Sequence, residues 1–235
     1  MLRGHGGVVI GSEMSGGVKK ITISNCVFDG TDRGIRIKTA RGRGGVVEEI
    51  RVNNIIMKNI REQAIVLDMQ YAKTTPEPVS ERTPRFRNIH LSNITAETNE
   101  AIYINGIEEM PVEDITFSDI QFDAKTGAVI KQAKNIAFHD VRITTKEGSS
   151  IIAEDVAHLT IDNVHTLNPL AAPLLSLTNS REVYVYNCFP QKGTNVFLDI
   201  KGKQTSQVTM KGNNFKYTAQ PLTKEDVITE NIVVE

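Results

Sequence analysis

One six-residue pattern recurs along the chain and limits what it can fold into. It reads apolar, polar, apolar, polar, Asn or Asp, apolar. The copies are Ile21-Thr22-Ile23-Ser24-Asn25-Cys26, Ile50 to Ile55, Ile89 to Ile94, Ile115 to Ile120, Ile136 to Val141, Leu159 to Val164 and Val183 to Cys188. Successive Asn/Asp positions lie 29, 39, 26, 21, 23 and 24 residues apart, and a degenerate copy begins at Val208-Thr209-Met210. A second short alternating segment follows each copy, as in Ile35/Ile37, Ile65/Leu67, Ile102/Ile104 and Ile151/Ala153. Alternation of period two makes a strand with one buried face. Several short strands per unit of 21 to 39 residues predict an all-β, single-stranded parallel β-helix of about eight coils. No coil can close a core alone, and stacking at about 4.8 Å buries the inward Ile, Val, Leu and Phe. The recurrent Asn is expected to point inward at a turn, as an amide ladder from coil to coil.

The solenoid is expected over residues 1–217, with 218–235 losing the repeat and capping the last coil. The spacing of 39 contains Gln70 to Pro84, a Pro-rich excursion, and Arg41 to Gly45 is a second, Gly-rich one. Both are expected to emerge beside Arg36 and Lys38, and solenoid insertions commonly carry function.

Composition narrows the classes. At 235 residues and 40% hydrophobic content the chain can bury a substantial core. No apolar run approaches the ~20 residues that span a bilayer, so no membrane partner is expected. Its first residues, Met1-Leu2-Arg3-Gly4-His5, lack the apolar stretch of an export signal. A net charge of −1 and the lack of any known reading element argue against nucleic acid. Cys26 and Cys188 occupy the same place in two repeat units, just after an Asn, and read as buried small side chains without metal spacing. No cofactor or metal is expected.

The charge is uneven. From Thr31 to Arg43, Arg33, Arg36, Lys38, Arg41 and Arg43 stand against one acid, Asp32. Within Gly34-Ile35-Arg36-Ile37-Lys38, the two cations share one strand face while Ile35 and Ile37 share the other. This stretch is either a solvated basic loop or a clamp for carboxylates on an extended anionic ligand. Asp68, which falls opposite Lys38 on the next coil, offers a third reading as a cross-coil ion pair.

Gly4-His5-Gly6, Ile10-Gly11-Ser12 and Arg36-Ile37-Lys38 on a β-helix together resemble glycoside hydrolase family 28, the polygalacturonase family of pectin-cleaving enzymes. The stretches Asp32 to Thr39, Arg41 to Gly45 and Pro84 to Ile89 look most like its bacterial members. The resemblance implies a right-handed, pectin-lyase-like solenoid and a partner containing galacturonic acid. It implies that His5 sits in a catalytic cleft, tuning a carboxylate, and that Arg36 and Lys38 bind a galacturonate carboxylate. Tyr71 matches the family's sugar-contacting tyrosine in placement. Without the resemblance, His5 reads as a frayed terminal residue and Tyr71 as a loop aromatic packed on the solenoid. Members of the family are secreted or periplasmic.

The chain departs from the family in one respect. Inversion at a glycosidic bond uses a carboxylic acid and a carboxylate about 6.5–9.5 Å apart. The family takes them from an Asn-Thr-Asp and an Asp-Asp motif upstream of Gly-His-Gly, and neither motif occurs in these 235 residues. Asp29 and Asp32 match neither. The expectation is a polygalacturonase-type glycosidase chain that is inactive alone, or a non-catalytic β-helix that binds acidic polysaccharide. A solenoid end also exposes a strand edge, so the first coil is expected to be covered by a second copy, by another N-terminal piece, or by residues 1–17.

Overall fold

A computed structural model describes residues 1–227 and 232–234. Its strands are β1 (Leu2–Gly4), β2 (Val8–Ile10), β3 (Val18–Thr31), β4 (Ile35–Lys38), β5 (Val46–Asp68), β6 (Arg85–Asn105) and β7 (Val112–Thr145). They continue as β8 (Ile151–His165), β9 (Leu175–Thr178), β10 (Arg181–Tyr186), β11 (Thr194–Lys201), β12 (Ser206–Lys211), β13 (Thr218–Glu225) and β14 (Ile232–Val234). No helix occurs among the described residues. All the ladders between these strands are parallel, in the order β1-β3-β5-β6-β7-β8-β10-β12-β14, with β2, β4, β9, β11 and β13 on a second face. The chain is a right-handed parallel β-helix of about nine turns, one more than the repeat suggested. The extra turn is made of strands that lack the Asn signature.

The repeat is the register. Ile21 pairs with Ile50, Ile50 with Ile89 and Ile89 with Ile115; Ile136 pairs with Leu159, Leu159 with Val183 and Val183 with Val208. Stacking equivalent residues keeps like side chains in columns. Phe117 and Phe138, in one such column, stack with centroids 4.9 Å apart and are fully buried. The second segments form their own columns, with Ile35, Ile65 and Ile102 inward and Ile37, Leu67 and Ile104 beside them.

The Asn ladder exists, but on the outside. Asn25, Asn54, Asn93, Asp119, Asp140, Asn163 and Asn187 all have φ between 50° and 57°, and all but the partly buried Asn163 are exposed. A left-handed residue breaks strand alternation, so the fourth and fifth positions both face out and the sixth returns to the core. An ordinary side chain loses about 1–2 kcal/mol there, and Asn or Asp tolerates it best. The amides still connect coils: Asn54 Nδ2 donates to Asn25 Oδ1 at 2.5 Å, Asn93 to Asn54 at 3.3 Å and Asn163 to Asp140 at 2.6 Å. A second left-handed corner precedes each copy, at Lys20, Glu49, Asn88, Asp114, Asn135, His158, Glu182 and Gln207. Its mixed residue types gave no sequence signal.

Cys188 is fully buried as expected, and burial pushes its thiol up to about 12. Cys26 is only half-buried, because the turn above it is limited to the short β1 and β2. Residues 1–17 supply that turn: Leu2 pairs with Asp29, Gly4 with Thr31 and Val8 with Ile35. Of the expected cap over 218–235, residues 228–231 and 235 lie outside the described residues. The rest continues the ladder, β13 on β11 and β14 on β12.

Candidate functional site

β4 carries the two cations as its alternation requires: Ile35 and Ile37 are buried, and Arg36 and Lys38 face out. Above it, Gly11 packs its backbone against the Lys38 carbonyl, where any Cβ would overlap the oxygen, and its φ is +89°. Only glycine closes the upper rung over Lys38 in this way. Below it, Lys38 pairs with Asp68 in register.

The five cations of the basic stretch have different fates. Arg33 is tied to Glu62 and donates from Nε to Gln63 Oε1 at 3.0 Å. Arg41 makes a two-pronged contact with Glu109, Nη2 to Oε2 being 2.9 Å, and each partner drives the other further towards its charged form. Arg43 meets Glu13 at 2.9 Å without hydrogen-bond alignment. Among the described residues neither Arg36 nor Lys38 forms an ion pair. Asp68 does not neutralise Lys38; its Oδ1 accepts instead from Gln70 N at 2.9 Å and Asn105 Nδ2 at 3.0 Å.

Tyr71 joins the two cations. Its ring lies 4.0 Å from Lys38 Nζ and 5.6 Å from the Arg36 guanidinium carbon, and it is 45% exposed. The backbone holds it there, with Tyr71 N donating to Thr39 O at 3.1 Å. The π-face offsets the cations only weakly, by about 0.5–1 kcal/mol at an exposed site. Burial, and then the neighbouring Arg33, pull Arg36 below the ordinary arginine range, although such a group stays protonated. Its Nε is buried and has no hydrogen-bond partner. An approaching anion would offset the lowered pKa.

The two excursions border this surface. Gly44 N donates to Arg82 O at 2.8 Å and Arg85 N to Gly45 O at 3.0 Å, so the loop of residues 70–84 stacks on that of residues 39–45.

His5 lies one rung above Asp32, on the corner that leads into β2. Its Nδ1 is 2.9 Å from Asp32 Oδ2, and Asp32 Oδ1 is 3.1 Å from Arg61 Nη2. The imidazole is held at one nitrogen while its side chain is 95% exposed. No described contact joins it to Arg36, Lys38 or Tyr71. The structure thus brings three of the four candidate residues together and leaves His5 on the adjacent corner. A concavity of about 260 Å³ bounded by Ile56, Phe122, Arg142 and Leu167 lies on a different sheet face.

The model of Glycosyl hydrolases family 28 matches residues 1–140. The endo-polygalacturonase of Pectobacterium carotovorum subsp. carotovorum is 31% identical over 128 residues, covering 54% of this chain and 30% of that protein. The exo-poly-alpha-D-galacturonosidase of Dickeya chrysanthemi is 28% identical over 157 residues, 63% of this chain and 26% of that one. Polygalacturonase-2 of Solanum lycopersicum is 28% identical over 165 residues, 66% and 36% respectively. The chain spans about a third of the length of these relatives. The matched region contains the Gly-His-Gly turn, β4 with its outward cations and Tyr71. On that match this chain belongs to glycosyl hydrolases family 28.

Proposed function

We propose that this chain is the saccharide-gripping part of a pectin-degrading glycosidase of the polygalacturonase type. It holds an ionised galacturonate unit of an α-1,4-linked galacturonan between Arg36 and Lys38. One observation supports this reading above the others: of five clustered cations, three meet carboxylates and these two stand outward without one. Arg36 offers a planar, two-pronged grip on a carboxylate, Lys38 a point charge beside it. Tyr71 supplies an apolar face to the sugar ring while its π-cloud rests on both cations.

His5 is the residue of this chain closest in kind to an acid–base partner. Asp32 and Arg61 orient its ring through Nδ1, leaving Nε2 toward solvent to hydrogen-bond a carboxyl group or a substrate hydroxyl. Hydrolysis with inversion also needs two carboxyl groups on opposite sides of the glycosidic bond. The acids beside His5 are already engaged, Asp32 with His5 and Arg61, Glu62 with Arg33, and neither family aspartate motif is present in these residues. The 235-residue chain alone is therefore expected to bind galacturonan without cleaving it.

Titration of the purified chain with trigalacturonate and with an uncharged trisaccharide tests this, together with a reducing-end assay on polygalacturonate. The reading expects salt-sensitive binding of the ionised ligand only, and no release of reducing ends. Equal affinity for both ligands would overturn the carboxylate grip, and enzymatic turnover would overturn the expectation of inactivity.

A further inference from the structure

Resting on the galacturonate reading of Arg36 and Lys38, the next part of the same face carries a different chemistry. Arg36 stacks on Val66 and Val66 on Tyr103, while Lys38 stacks on Asp68 and Asp68 on Asn105. At about 4.8 Å per rung, Tyr103 lies roughly two rungs from the cations along the solenoid axis. The face between is an apolar floor, with Val66 almost buried and the Tyr103 ring half-buried.

Two carboxylates border that floor. Asp68 is on one side, and on the other Gln63 stacks on Glu100 and donates from Nε2 to Glu100 Oε2 at 2.8 Å. Neither acid forms an ion pair among the described residues. Each has one oxygen, Asp68 Oδ2 and Glu100 Oε1, without a hydrogen-bond partner there. Burial pushes the Glu100 carboxyl up, as befits an acid with no cation beside it. Burial and then Asp68 raise the Tyr103 hydroxyl, with Glu100 adding to the effect, so both acids act on the same ring. Lys131 opposes them, but its ammonium is 2.7 Å from Glu154.

We infer that the floor over Val66 and Tyr103 takes an uncharged sugar unit next to the ionised one held by Arg36 and Lys38. A free carboxylate there would face Asp68 and Glu100, neither of them ion-paired among the described residues, across a short, partly dry gap, with Arg36 attracting Asp68 only from a distance. A neutral unit keeps its apolar face for Tyr103 and offers its hydroxyls to the open oxygens of Asp68 and Glu100. The shared chemistry is lack of charge, which a methyl-esterified galacturonate or a neutral hexose would each supply.

The test is titration of the full chain with four trisaccharide types: fully ionised trigalacturonate, isomers methyl-esterified at one unit, a version with one neutral hexose, and a fully esterified form. The inference expects one singly esterified isomer to bind about tenfold more tightly than the fully ionised ligand. The fully esterified form should bind poorly, because the cations lose their anion. If the hexose version gains equally, the selection is for neutrality; if only the ester gains, it is for the ester group. Asp68→Asn with Glu100→Gln should erase the preference by improving the fully ionised ligand alone. Fully ionised trigalacturonate binding at least as tightly as every isomer, with Arg36 still required, would overturn this inference and leave the cation reading intact. Binding of no ionised ligand, or binding indifferent to Arg36, would remove both. Should the double variant fail to fold, the ligand series on the unaltered chain decides the matter.

Discussion

Replacing Arg36 by Gln and Lys38 by Met, singly and together, removes charge while keeping most of each side chain's bulk. Two unit charges about 4 Å apart at a partly exposed site interact by roughly 4 kcal/mol at an effective dielectric of 20. Competition with water reduces that to the ~1.5–3 kcal/mol typical of a hydrogen bond to a charged group. Arg36 has the larger share, since its planar fork can make two bonds to one carboxylate where the Lys38 ammonium offers a point charge. Arg36→Gln should therefore weaken trigalacturonate binding by about 2 kcal/mol, some thirtyfold, and Lys38→Met by about 1.5 kcal/mol, some tenfold. The double variant should fall short of the sum, because both cations meet one carboxylate under one aromatic ring. Isothermal titration at low and high salt reads this directly: the wild-type affinity should fall with ionic strength and that of the double variant should hardly move. Variants that fold normally yet keep affinity within twofold would refute the reasoning. So would equal losses for an uncharged trisaccharide.

Three further outcomes follow from the fold. Asn54→Ala should lose about 2–3 kcal/mol in urea unfolding, from the left-handed backbone and two exposed amide bonds. Asn54→Gly should lose about 0.5–1 kcal/mol less, and a glycine variant weaker than the alanine one would contradict the corner account. Glu109 is held below its ordinary range by Arg41, so its stabilisation is present above about pH 4.3 and is lost as pH falls through the lowered value. Glu109→Gln should be less stable at neutral pH and flatter in acid, and an unchanged acid slope would count against that pair. A thiol reagent at pH 8 should label Cys26 and spare Cys188 until the chain unfolds, as mass mapping would show; prompt labelling of Cys188 in the native protein would contradict its burial.

Much of this was legible in the sequence because a solenoid writes its register into the chain. Stacking equivalent residues in columns forces the apolar positions to recur, so the Ile21 series gave the first strand of each coil and Ile35/Ile37 the second. Alternation alone placed Arg36 and Lys38 outward. The direction of the Asn side chains was not readable, because a single left-handed residue reverses the face and leaves no mark in an apolar–polar pattern. The second corner was hidden by its mixture of Lys, Glu, His and Asn. Tyr71 could be placed by resemblance, but its position over both cations depends on the backbone bond to Thr39 and on how two loops stack. Asp68 could be placed opposite Lys38 from the sequence, but its grouping with Glu100 around Tyr103 could not, because the two acids are far apart in the chain and come to one face only across the rungs.

A crystal structure of the chain soaked with trigalacturonate tests the central claim most directly. The account predicts one carboxylate within hydrogen-bonding distance of both Arg36 and Lys38, with that sugar's ring against Tyr71. Trigalacturonate bound elsewhere on the solenoid, with the two cations left in solvent, would contradict it.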